Sequence, residues 1–181
     1  MRNYPYFLIL LISSILLVAV LSNSQTAYAT TWDATKNLSS NAGGSALPQV
    51  AVSGSDVYVV WYDGTTGNSE IFFRHSSDDG ATWDAKKNLS SNAGSSVFPQ
   101  VAVSGSDVYV VWYDSTPGSS DIFFRHSSDD GATWDAKKNL SSNAGDSSSP
   151  QIAVSGSDVY VVWHDFTPGN YDIFFRKGSE V

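Results

Sequence analysis

The 181-residue sequence contains no cysteine and one methionine. Without cysteine there are no disulfides, no thiolate metal sites and no cysteine nucleophile. Cations are scarce: ten Lys and Arg stand against 18 Asp and Glu, for a formal net charge of −8. That composition leaves no basic patch for nucleic acid. Glutamate occurs only as Glu70 and Glu180. Past the N-terminus, no stretch carries apolar residues at helical spacing, so helices are not expected. The only long hydrophobic run, Phe7 to Leu21, follows Met1-Arg2-Asn3 and precedes Ala27-Tyr28-Ala29. A positive start, an apolar run and an A-x-A site form the pattern of a secretory signal peptide, here residues 1–29. The run is shorter than the roughly 20 residues a spanning helix needs. Cleavage after Ala29 and a secreted, extracellular or cell-surface product are therefore expected. The alternative is an uncleaved anchor, which would add a membrane as partner.

What remains, residues 30–181, is one unit written three times. Trp32, Trp83 and Trp134 recur at a spacing of 51 residues, as do Pro48, Pro99 and Pro150. The decapeptide Val-Ser-Gly-Ser-Asp-Val-Tyr-Val-Val-Trp occurs at 52–61, 103–112 and 154–163. Such a period is the signature of a repeat architecture. Each unit reads as four strands: Gln49 to Ser53, Val57 to Tyr62, Glu70 to His75 and Thr82 to Asn88. The second strand is β-branched and aromatic on both faces, which suits a sheet covered on both sides. About 50 residues and four strands per unit point to stacked propeller blades.

The stretch Ser76-Ser77-Asp78-Asp79-Gly80-Ala81-Thr82-Trp83 returns unchanged as Ser127 to Trp134. Asp-Asp-Gly is turn chemistry: the Asp side chain accepts from nearby backbone N–H groups and Gly supplies positive φ. Ser76, Asp78, Gly80, Thr82 and Trp83, with Ser127, Asp129, Gly131, Thr133 and Trp134, read S-x-D-x-G-x-T-W. This pattern resembles the Asp box of the sialidase-type (BNR) repeat family. The resemblance covers essentially the whole of residues 30–181. It implies an all-β, sialidase-like β-propeller domain of three four-stranded blades, with the Asp-box residues in a structural role. Residues 30–181 begin with a fourth strand that lacks its box (Trp32 to Leu38) and end on a third strand. The N-terminal segment is therefore expected to complete the last blade, which removes an open sheet edge. Three blades are fewer than the usual four to eight. An open arc, a compact three-blade closure and a homodimeric six-bladed ring are the three outcomes, alongside a fragment of a longer enzyme.

The same resemblance brings an enzymatic expectation with it: three arginines around one carboxylate, with an Asp acid and a Tyr–Glu nucleophile. Arg74, Arg125 and Arg176 all occupy one slot of the repeat and are spread by its rotation. The triad is therefore not carried over, and no catalytic residue is assigned. Asp63, Asp114 and Asp165 recur after the second strand and are candidate binding residues; the alternative is a turn-starting Asp bonded to its own loop. Asp78 and Asp129 lack the ligand pattern of an EF-hand, and no histidines stand at metal-ligand spacing, so no metal or other cofactor is expected. The units differ mainly in two loops on one face, which carry Phe98, Phe166 and Tyr171. Aromatics there suit stacking on sugar rings or a protein surface. Three functions follow: a secreted, non-catalytic module for glycan or extracellular protein, an exo-α-sialidase or related glycoside hydrolase, or a purely structural cell-surface repeat. The scarcity of paired acids leans against the enzyme.

Overall fold

The computed structural model describes residues 30–65, 67–116, 118–167 and 169–179. The expected signal peptide lies outside the described residues. The chain divides into two compact units, Met1–Thr35 and Lys36–Val181. Residues 30–35 of the first are described and carry no strand.

The second unit is built from three antiparallel sheets, and the described residues contain no helix. In chain order the first sheet is β1 (Ser45–Ser53), β2 (Asp56–Asp63), β3 (Glu70–Ser76) and β4 (Lys87–Asn88). The second repeats it as β5 (Ser96–Ser104), β6 (Asp107–Asp114), β7 (Asp121–Ser127) and β8 (Lys138–Asn139). The third has three strands, β9 (Ser147–Ser155), β10 (Asp158–Asp165) and β11 (Asp172–Ser179).

Local chemistry sets the strand ends. The β1–β2 turn uses Gly54 at φ 61°, a conformation glycine adopts without steric cost. β1 starts earlier than the sequence suggests, because Leu47 at φ 49° forms a bulge that shifts the register between Ala46 and Gln49. Pro48 sits inside that bulge, where its missing N–H leaves no ladder bond unmade. The outer strand is shorter than expected: Thr82 to Asn88 shrinks to Lys87–Asn88. Its first residues belong to the Asp box instead. Ser76 Oγ donates to Asp78 Oδ1 at 2.8 Å and accepts from the Gly80 amide at 2.9 Å. Asp78 accepts from the Thr82 amide and hydroxyl, both at 2.7 Å. Trp83 Nε1 folds back onto the Gly80 carbonyl at 3.0 Å. The second box copies every one of these bonds.

The core lies between sheets rather than within them. One cluster joins Tyr58, Val60, Ile71, Phe73 and Leu89 of the first sheet region to Val108, Val110 and Trp112 of the second. The next joins Tyr109, Val111, Ile122 and Leu140 to Val159, Val161 and Trp163. This explains why β6 is apolar on both faces: Val108, Val110 and Trp112 meet the unit before, and Tyr109 and Val111 the unit after. Trp134 of the second box packs edge-on against Phe73 at 5.0 Å, so the box also seals the joint.

The N-terminal segment does not pair where the repeat phase suggested. Among the described residues, no strand follows β11 in the third sheet. Residues 36–38 lie against the first unit instead. Lys36 Nζ donates to the Gly80 and Ala81 carbonyls at 2.6 and 2.5 Å. Lys87 makes the same pair of bonds to Gly131 and Ala132 of the following box. Residues 36–38 thus take, in front of the first sheet, the place that β4 takes in front of the second.

Candidate binding face

Asp63, Asp114 and Asp165 end the second strand of each sheet and are 0% exposed. Each holds two loops together. Asp63 Oδ1 accepts from the Thr65 amide at 2.8 Å and from the Thr65 hydroxyl. Its other oxygen accepts from the Asn41 amide group and from Ser45 Oγ at 3.3 Å. Asp114 repeats this with Thr116, Asn92 and Ser96, and Asp165 with Thr167, Asn143 and Ser147. Burial raises the carboxyl pKa of Asp63 and Asp165, but these donors outweigh it and hold both below the usual range. All three side chains therefore lie beneath the loops and are inaccessible to a ligand from solvent. Their geometry is that of a loop clamp.

The clamp brings together the two variable loops. The loop before each first strand bonds to the loop after the second: Gly64 N to Gly44 O, Ser115 N to Ser95 O and Phe166 N to Asp146 O, each at 3.0 Å. Contact is so close that a Cβ at Gly43 would lie 2.7 Å from the Thr65 backbone.

Above this support stand the aromatics. Phe166 and Tyr171 come together, with ring centroids 5.1 Å apart, and both are exposed. His164 meets Tyr171 edge-on at 5.1 Å and contacts Ser148 Oγ at 2.5 Å. Phe98 is not part of this cluster; it occupies the bulge at φ 54° and packs on Tyr113 at 6.2 Å. Beside Phe166 opens a groove of about 520 Å³, walled by Gly118, Ser119, Gly145, Asp146 and Thr167. Asp146 is the one ionisable side chain among its described lining residues, and its Oδ1 accepts from the Ser120 amide at 3.0 Å. The groove offers an aromatic wall, the Ser119 hydroxyl and the Asp146 carboxylate, while the Gly118, Gly145, Phe166, Thr167 and Gly169 amides are bonded within the loops. Its described residues supply one carboxylate, not a pair.

The arginines serve the joints between units. Arg74 donates to the Asp84 and Trp83 carbonyls and reaches Leu38 O at 3.1 Å. Arg125 makes the same three bonds, to Asp135, Trp134 and Leu89. Arg176 donates to Leu140 O at 2.6 Å. Each guanidinium thus spans a unit boundary, bonded to its own set of carbonyls.

One further cluster centres on His75, which the sequence places on a strand with no histidine at metal-ligand spacing. His75 bonds Asp56 through Nε2 at 2.9 Å and Asp84 through Nδ1 at 3.0 Å, with Tyr58 stacked on its ring. The Tyr58 hydroxyl donates to Asp130 of the next box at 2.6 Å. Asp56, His75 and Asp130 bring their ligand atoms within 4.8 Å of one another. Both ring nitrogens of His75 are already used, so the group is satisfied as a hydrogen-bond network. Burial lowers the His75 pKa, but its two carboxylate partners outweigh that and raise it. The available signal was the register: Tyr58 faces His75 across β2 and β3.

Comparison of the sequence with known protein families finds no match, and neither does comparison with curated proteins. Solved structures do match. Hadza microbial sialidase Hz136 is 16% identical with a TM-score of 0.51, over 77% of this chain and 34% of that one. Bacteroides ovatus Xyloglucan PUL GH43B is 12% identical with a TM-score of 0.50, over 76% of this chain and 27% of that one. The chain spans about a third or less of the length of these proteins. At such identity the likeness is one of fold, and the three sheets share the sialidase-like β-propeller fold with these structures.

Proposed function

We propose that the chain is a secreted, non-catalytic recognition module that binds glycan through the face carrying Phe166 and Tyr171. The observation that carries this reading is the exposed Phe166–Tyr171 pair beside a groove whose described lining has one ionisable side chain, Asp146. Aromatic faces stack on the apolar faces of sugar rings, while the Ser119 hydroxyl and the Asp146 carboxylate take the ring hydroxyls. The buried aspartates hold the loops in place before a ligand arrives, which lowers the ordering cost of binding. An extracellular protein is the other occupant this face suits.

Binding is tested on a glycan array and then by titration calorimetry with the best ligand. Phe166→Ala and Tyr171→Ala are each expected to weaken binding about tenfold, equivalent to about 1.4 kcal/mol. Both side chains are exposed, so the melting temperature should not move. Unchanged affinity in both variants removes the site. The fold likeness to a sialidase motivates the second reading, a glycoside hydrolase. Turnover of a fluorogenic sialoside by the purified chain would replace the binding reading with that one.

A further inference from the structure

The two ends of the array carry complementary halves of the joint that is made twice inside it. At each internal joint, Ile and Phe of the third strand pack against valines of the next unit. Ile71 and Ile122 are 0% exposed there, whereas Ile173 in the same slot of β11 is 77% exposed. Phe175 is exposed where Phe73 is buried. The first unit shows the other half. Val50 and Val52 are exposed, while Val101 and Val103 in those slots pack against a core cluster. An apolar surface of this kind at each end marks an interaction site.

The polar contacts continue the same pattern. In the first two sheets the outer strand pairs Phe72 with Asn88 and Phe73 with Lys87, then Phe123 with Asn139 and Phe124 with Lys138. Phe174 and Phe175 hold the same slots in β11, and Asn37 and Lys36 stand one repeat before Asn88 and Lys87. Asn37 and Lys36 already sit in front of the first sheet, held by the Lys36 bonds and by Arg74 to Leu38 O. Among the described residues, no third strand pairs with residues 36–38 and no outer strand pairs with β11.

We infer that β11 of one copy pairs with residues 36–38 of a second copy, head to tail, and that two copies close into a ring of six sheets. Heterologous contacts give rings where the rotation closes and filaments where it does not. The described residues of one copy form three sheets, below the four to eight of closed propellers, and those of two copies form six, within that range. Closure also removes the bare edge of β11.

The full chain, expressed with its own N-terminus, is weighed natively by light scattering and denatured by mass spectrometry. A native mass twice the denatured mass is expected. Phe175→Lys and Val50→Lys, both at positions exposed in the single chain, should each yield a folded species of half that native mass with an unchanged near-ultraviolet spectrum. Because the sequence has no cysteine, Lys36→Cys with Phe175→Cys reports this one contact. The expected product is a disulfide between two chains. A native mass equal to one chain, a ladder of larger species, or a disulfide within a single chain would each overturn the two-copy ring.

Discussion

At the scale of single residues, the same side-chain type does different work according to its neighbours. Asp78 and Asp129 are half-buried members of the boxes, held at about 2 by the backbone and hydroxyl of Thr82 and Thr133 and by Ser76 and Ser127. A carboxyl depressed from 3.8 contributes stability above that value and loses it as pH falls towards the folded value. His75 has the opposite sign. Its folded pKa is raised above 6.5, so its contribution is complete below 6.5 and disappears as pH rises through the folded value. Thermal melts across pH should therefore show a plateau from about pH 4 to 6.5, falling on both sides. His75→Gln is expected to flatten the alkaline side relative to the parent and leave the acid side in place. An alkaline slope identical in parent and variant would contradict this assignment.

At the scale of elements, the Asp box is both a turn and a wedge between units. Gly80 and Gly131 occupy the same slot with φ of 82° and 79°, so alanine strains both backbones alike. Their surroundings differ. A Cβ at Gly80 would meet only Trp83 at 3.6 Å, whereas one at Gly131 would collide with the Phe73 ring of the unit before. Gly131→Ala is therefore expected to destabilise by more than Gly80→Ala, by about 1–3 kcal/mol from overpacking alone. Urea melts of the two variants measure the difference, and equal values would mean the second box does not press on the first sheet. Strands and boxes were legible in the sequence because both are local: Val57 to Trp61 and Ser76 to Trp83 each settle their conformation within a few residues. The outer strand is shorter than expected because Thr82 and Trp83 suit a strand equally well, and the bonds they donate to Asp78 and Gly80 decide otherwise.

At the scale of the whole molecule, the joints were the part that the sequence did not disclose. The role of Arg74 and Arg125 depends on carbonyls 36 residues earlier, and nothing local announces such a partner. The aromatic cluster was half visible: Phe166 and Tyr171 could be assigned to one face, but Phe98 could not be separated from them until its bulge was seen. Arg125 joins the second unit to the carbonyl of Leu89 in the first, as one of three bonds to carbonyls. Arg125→Met keeps the aliphatic stem and removes those donors. Hydrogen bonds to charged groups contribute about 1.5–3 kcal/mol each at most, so a loss of that order is expected in chemical denaturation. A reduced denaturant dependence would further show the units melting separately.

The carboxylates beneath the loops carry a different consequence. Asp63, Asp114 and Asp165 grip a threonine, an asparagine and a serine that are the same in all three repeats, never the side chains that vary above them. Foundation and façade are thereby chemically independent. Residues such as Phe98 or Phe166 can be exchanged for others of quite different character while the scaffold underneath registers no change, leaving the chain free to acquire new tastes without relearning how to fold.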